Sequence, residues 1–170
     1  SYNSVALTKI EEVSIGGAYL SQWGLIAPAT GANTFAASWD GTSQTIRVFV
    51  ATYNGVSNVL PTNYLHSRET TGVTTYTVTL NVATANSWVT FFGFTGGGGG
   101  SIVASTNLTS RSNQSFLIWG DSNGPVAAGN FSQTMTWTIS DIDHRTIQTA
   151  LKETTGVSPS ASLSPSASRS

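Results

Sequence analysis

The sequence predicts an all-β chain of antiparallel strands, and three observations carry that expectation. The apolar residues recur with a period of two rather than 3.6, the strand candidates are rich in threonine and aromatics, and turn dipeptides fall between them. In FSQTMTWTIS, Phe131, Met135, Trp137 and Ile139 share a face with Gln133, while Ser132, Thr134, Thr136 and Thr138 take the other. TTYTVTLNV repeats the pattern, with Tyr76, Val78 and Leu80 facing one way. Both read as half-buried strands. Strands at this spacing with no convincing helix indicate a β-sandwich of jelly-roll or immunoglobulin-like type.

The remaining elements follow in order. SVALTKIEEVSI, AYLSQWGLI and NTFAASW are strand candidates at the start of the chain. IRVFVATY (46–53) and WVTFFGF (88–94) are apolar on both faces, so they are expected to be central strands, covered on both sides or lying at a subunit contact. SFLIWG and RTIQTALK complete the set; HRTIQTALKE has some helical character, but Ile147, Thr149 and Leu151 alternate and favour a last strand. Asp40-Gly41, Asn54-Gly55, Thr71-Gly72 and Asn123-Gly124-Pro125 are expected hairpin turns. The echo of YNSVA (2–6) in YNGVS (53–57) reads as shared turn chemistry.

At 170 residues the chain fits one domain, expected over 1–155, followed by a Ser/Pro/Ala-rich extended tail or linker over 156–170. Only 9% of residues are charged and the net charge is -1. That argues against nucleic acid as a partner, since phosphate binding needs a basic field. No apolar run approaches a membrane span, so no membrane insertion is expected. Cysteine is absent, which excludes disulfides and thiolate chemistry. The opening SYNSVALTKI lacks an initiating Met and a signal peptide, and the chain is expected to be a processed or partial product. A surface neutral in charge and rich in hydroxyls suits an extracellular setting.

No catalytic, metal or cofactor residue is predicted. Gly120-Asp121-Ser122 followed by Asp141-x-x-His144 has the residue types of a serine hydrolase, in which imidazole takes the hydroxyl proton and carboxylate orients imidazole. In an all-β chain, with a single strand between them, GDSNGP reads instead as a turn. Asp141, Asp143 and His144 read as a solvated turn rather than metal ligands, and His66-Ser67-Arg68-Glu69 as a surface loop with local ion pairs. FTGGGGGSIV lacks the helix and lysine of a phosphate cradle and reads as a loop. Of the five tryptophans, most are expected in the core; Trp39, beside Asp40, is the candidate glycan contact. Asn107, Asn113 and Asn130 open Asn-x-Ser/Thr sequons and are candidate glycosylation sites.

YNSVALTKI, AYLSQWGLIAPATGANTFAASWDG and TIRVFVATYNGV, followed by MTWTIS and IQTALKE, resemble β-sandwich modules of large secreted and surface proteins of bacteria and of phage structural proteins. Trp23, Leu25, Pro28, Gly31 and Asn33 match the W-x-L-x-x-P-x-x-G-x-N segment of those modules, and Ser-Pro-Ala-Ser repeats often join them. The resemblance implies a structural role without catalytic residues. Family members carry one or two further strands before the Tyr-Asn-Gly strand, so an exposed sheet edge is expected here, to be covered by a neighbouring subunit.

The expected function is therefore a non-enzymatic structural subunit of an extracellular assembly: a surface filament, a sheath, or a virion or tail fibre. Identical subunits are the expected partners, meeting through the N-terminal edge (Val5, Leu7, Ile10), the doubly apolar strands (Phe49, Phe91) and the tail (Pro159, Leu163, Pro165). VSPSASLSPSASRS has no core-forming pattern and is expected to lie extended on its own or a neighbouring subunit, with sugars on its hydroxyls. The alternative is a carbohydrate-binding adhesin contacting cell-surface glycans.

Overall fold

A computed structural model of the chain describes residues 1–15, 18–38, 46–95, 102–114, 116–141, 143–154, 160–164 and 168–169. The described residues are all-β, and every strand pair is antiparallel. In chain order the strands are β1 (Thr8–Ile15), β2 (Ala18–Gly24), β3 (Ile46–Arg47), β4 (Val50–Asn54), β5 (Tyr64–Glu69), β6 (Val73–Val82) and β7 (Trp88–Thr95). They continue as β8 (Ile102–Thr106), β9 (Thr109–Gln114), β10 (Leu117–Asp121), β11 (Gly129–Asp141), β12 (His144–Leu151), β13 (Ser160–Ser164) and β14 (Ser168–Arg169).

Two sheets share the core. One has five strands in the order β5-β12-β7-β10-β9, the other three in the order β6-β11-β8. Period-two patterning decides which face each residue takes. Met135 and Trp137 of β11 point inward and pack on Phe91 and Ile118 of the five-stranded sheet. Leu80 and Val82 of β6 meet Val89 and Ala150 in the same way. The opposite face of the three-stranded sheet carries hydroxyls, which pair across strands as Thr77 to Thr134 (2.8 Å) and Thr79 to Ser132 (2.7 Å). Each fully buried large side chain in this core stabilises the fold by roughly 1.5–3 kcal/mol.

A third, partial layer covers the other face of the five-stranded sheet. The β1-β2 hairpin lays Val13 and Leu20 on Ile147, with Phe92 and Phe94 packed around them. Gln22 fixes its position: Nε2 donates to Thr90 Oγ1 (3.3 Å), and Oε1 accepts from Thr149 Oγ1 (2.5 Å). Because β12 is sandwiched between layers, seven of its eight residues, His144 to Ala150, are buried. The alternation expected of it is absent, and it is an interior strand, with β13 and β14 following it.

Several local expectations change. Asn54-Gly55, Thr71-Gly72 and Asn123-Gly124-Pro125 close no hairpins. Thr71-Gly72 carries the chain from β5 in one sheet to β6 in the other, and Asn123 to Pro125 lead from β10 across to β11. The Thr71 turn is held by Glu69, whose Oε1 accepts from Thr70 N (2.8 Å), Thr71 N (2.7 Å) and Thr71 Oγ1 (2.5 Å). The Thr71 hydrogen bonds lower the pKa of the Glu69 carboxyl. His66 to Glu69 form an edge strand rather than a loop, with His66 Nδ1 3.3 Å from Glu11 Oε2. Asn33 to Ser38 form no strand; Phe35 makes only an isolated bridge to Tyr2. IRVFVATY is not central to either main sheet but lies in the partial layer, where its residues from Arg47 to Tyr53 are half-buried or exposed. WVTFFGF is central, as expected. Asp40-Gly41 and the five glycines at 96–100 lie outside the described residues.

Candidate assembly site

The segment Ile46–Asn54 places aromatic side chains on the outer face of the five-stranded sheet. Phe49 sits edge-on to Phe92 (5.4 Å between centroids) and stacks on Trp119 (6.5 Å), and the Arg47 guanidinium lies 4.2 Å from the Phe116 ring centroid. Tyr53 packs edge-on to Trp88 (5.9 Å) and donates its hydroxyl to Asp121 Oδ2 (3.2 Å).

Asp121 is the polar anchor of this contact. Its carboxylate is wholly buried, yet every direction is satisfied. Arg111 donates from Nε to Oδ2 (3.0 Å) and from Nη2 to Oδ1 (2.9 Å), and the Asn123 amide donates to Oδ1 (2.9 Å). Burial, and then the negative Asp121 beside it, push the Tyr53 phenol far above its ordinary range. The hydrogen bond to Asp121 likewise raises the Arg111 guanidinium.

Held in this way, the segment receives the C-terminal part of the chain along its length. After β12, Ser57 N donates to Lys152 O (2.8 Å), and Thr154 N donates to Gly55 O (2.8 Å). The ladder resumes with Ser160 opposite Asn54, Leu163 opposite Ala51 and Ser164 opposite Val50, and Ser168 and Arg169 pair with Arg47 and Ile46. Among the described residues, β13 and β14 are the only strands paired with β4 and β3. Ser160–Ser164 and Ser168–Arg169 of the tail thus adopt strand conformation on their own subunit. Leu163 lies in this ladder, while Pro159 and Pro165 lie outside the described residues.

The other expected contact residues scatter. Val5, 52% exposed, closes a tight bridge with Tyr2, and Leu7 and Ile10 are half-buried. The N-terminal strand is part of a hairpin laid over the sheet, not an edge of either main sheet. Phe49 is half-buried against its own subunit. Phe91 is corrected outright: it is wholly enclosed between the two sheets and offers no surface to a neighbour. Trp39 and Asp40 lie outside the described residues. Trp88 and Trp137 are core residues, and Trp119 is half-buried.

The most exposed aromatics among the described residues are Tyr19 (52%) and Trp23 (50%), on one face of β2, followed by Tyr64 and Phe35 elsewhere. Most of the five tryptophans are expected in the core, and among the four described ones Trp23 is the exposed exception. The period-two signal was present, since Tyr19, Ser21 and Trp23 alternate with the inward Leu20 and Gln22. Beside them an open groove of about 1760 Å³ runs between β2 and the β3-β4 segment, with Thr90, Phe92 and Phe94 among its lining.

The hydrolase constellation is not assembled. Ser122 N donates to Val89 O, whereas His144 is paired with Thr95, six residues further along β7. That is roughly 20 Å of strand, far beyond hydrogen-bond reach. His144 is buried with its ring stacked on Trp137 (3.9 Å between centroids), and Asp143 Oδ1 accepts from Arg145 Nε at 3.1 Å. Among the described residues no group of His, Cys, Asp and Glu has metal-site geometry. Asn107, Asn113 and Asn130 are all exposed; Asn107 Nδ2 donates to Ser132 O at 3.0 Å.

No family model, curated protein or solved structure matches the chain.

Proposed function

We propose that this chain is a non-enzymatic structural subunit of an extracellular assembly, built on a β-sandwich of jelly-roll or immunoglobulin-like type. Two sheets sharing one core, with connections that cross between them, support that architecture. A filament, a sheath and a fibre are the assemblies this reading covers. The subunits associate by exchanging the C-terminal strand.

The observation that carries the reading is the ladder between residues 46–57 and the C-terminal segment. A terminal strand that pairs with a strand otherwise unpaired among the described residues is an exchangeable element. The same hydrogen bonds form whether the tail belongs to the same subunit or to a neighbour. Low charge, with 9% charged residues, lets copies approach without strong repulsion. Anchoring of Tyr53 on Asp121 keeps the receiving strand in place when the tail leaves.

Light scattering on the full chain and on a version ending at Thr154 tests this. The full chain should form concentration-dependent oligomers. The shortened one should remain monomeric and bind a synthetic peptide of residues 157–170. A full chain that stays monomeric at every concentration, or a shortened one that associates equally well, overturns the proposal.

A further inference from the structure

The tail holds nearly the same five-residue strand twice. Ser160–Ser164 reads SASLS, and residues 166–170, one period of six further on, read SASRS; each copy follows a Ser-Pro dipeptide. Leu163 and Arg169 are the single difference between them, and in the ladder Leu163 stands opposite Ala51 of β4.

The ladder does not fix which copy β4 receives. From Glu153 opposite Val56 to Ser160 opposite Asn54 the tail advances seven residues while the receiving strand advances two, so β13 does not inherit its register from β12. From Ser164 opposite Val50 to Ser168 opposite Arg47 it advances four while the receiving segment advances three, so the register shifts again. Serine and alanine bring little side chain to specify a register, and the ladder bonds are main-chain bonds that either copy can make. A slip by one period is even, so the alternation of the tail stays in phase with that of β4. In the slipped register Ser166 stands opposite Asn54, Ser168 opposite Thr52 and Ser170 opposite Val50.

The two copies differ in reach. Thr154 is bonded through its amide to Gly55 O; five residues, 155–159, separate it from Ser160, and eleven, 155–165, separate it from Ser166. Fully extended, those stretches span roughly 17 Å and roughly 38 Å. A domain of this length has a radius of gyration of about 15 Å, hence a width of roughly 40 Å. The shorter stretch therefore joins only subunits whose β4 strands lie almost against each other, whereas the longer one reaches across a neighbour. On its own subunit the shorter loop closes with the smaller loss of entropy.

We infer that the tail carries two interchangeable donor strands with separate tasks: Ser160–Ser164 closes the ladder within a subunit, and residues 166–170 are delivered to β4 of a neighbouring copy. The inference rests on the strand-exchange reading above and specifies its donor.

The test is disulfide trapping in the full chain, which has no cysteine of its own. Tagged chains carrying Thr52→Cys are mixed with untagged chains carrying either Ser162→Cys or Ser168→Cys, so every bond formed joins two molecules. Thr52 is exposed and its partner in the ladder is Ser162; Ser168 comes opposite it only after the slip. The mixed dimer with Ser168→Cys should form at least about tenfold faster than the one with Ser162→Cys, because a link too short to span two sites has an effective concentration near zero. One chain carrying both Thr52→Cys and Ser162→Cys should close on itself as a monomer, which verifies that position 162 reacts. Equal or faster trapping of Ser162→Cys in the mixture overturns the inference and leaves strand exchange standing. No mixed dimer with either cysteine overturns both.

Discussion

Asp121 concentrates much of the polar cost of this fold at one position. A wholly buried carboxylate is tolerated because Arg111, Tyr53 and the Asn123 amide all donate to it. Removing it strands Arg111 and Tyr53 together. Asp121→Ala should cost about 3 kcal/mol in urea unfolding, near the low end for a broken buried pair, because the Arg111 side chain is 21% exposed. Asp121→Asn, which retains an acceptor, should cost less. The same contact sets an alkaline limit. Folding raises the Tyr53 pKa, so this phenol stays protonated in the native state while an unfolded chain ionises near its ordinary value of about 10. The stability it contributes is complete below that pH and is lost as pH climbs toward the raised value. In an ultraviolet titration Tyr53 should ionise last of the five tyrosines, only as the fold opens, after Tyr76, which burial also raises, and Tyr53→Phe should remove that last phase. A titration in which all five ionise together near pH 10 would contradict the burial of this hydroxyl.

At the scale of the element, β10 explains the glycine of the GDS triplet without catalysis. A Cβ on Gly120 would meet the Thr109 carbonyl oxygen at 2.4 Å and Leu108 at 3.0 Å, at the point where the β9-β10 register shifts. Backbone cannot yield as a side chain does, so Gly120→Ala should destabilise by about 1–3 kcal/mol. Hydrogen exchange should show β9, the edge strand, loosened more than β7; equal protection of β9 in parent and variant would refute the close approach. Strands were legible wherever a single face was buried, as in β6 and β11, because alternation is the signal of one-sided burial. β12 broke the pattern because layers cover it on both sides, and Thr146, Gln148 and Thr149 are interior despite their polarity. Turn dipeptides announce that the chain bends but not between which sheets, so Thr71-Gly72 and Asn123-Gly124 read as hairpins in the sequence and are crossings between sheets in the structure. IRVFVATY was legible as a strand needing cover. Its partner was not, because SASLS has no strand pattern of its own and gains its conformation from the ladder it joins. Of the candidate site, then, the 46–53 segment could be read in advance as a strand, whereas its pairing with Ser160–Ser164 and the Asp121 anchor could not.

In the described residues a two-sheet core carries a third layer made of separate ribbons, and this division should govern how the molecule opens. The core sheets bury Val78, Leu80, Val82, Val89, Phe91, Ile118, Met135 and Trp137 among themselves. Among the described side chains of the β1-β2 hairpin, the buried apolar ones are Val13 and Leu20. A two-stranded ribbon is marginal by itself, so the hairpin depends on its contact with Ile147 and on the Gln22 bonds to Thr90 and Thr149. The β4 ribbon likewise depends on Phe49, Tyr53 and the tail. Such contacts are too few to couple the outer layer fully to the core, and sub-global opening is the expected consequence. Native-state hydrogen exchange in low urea should separate the two. Amides of β7 and β12 should exchange only through global unfolding, with a steep dependence on urea. Amides of β2 and β4 should exchange through a smaller opening with a shallower dependence, leaving the core intact while the tail strand detaches. That intermediate is the species a strand-exchanging subunit must visit, since the tail has to leave its own β4 before it can join another. If β4 and β12 amides show one common urea dependence, the layers unfold together, and exchange of the tail would require unfolding the whole domain.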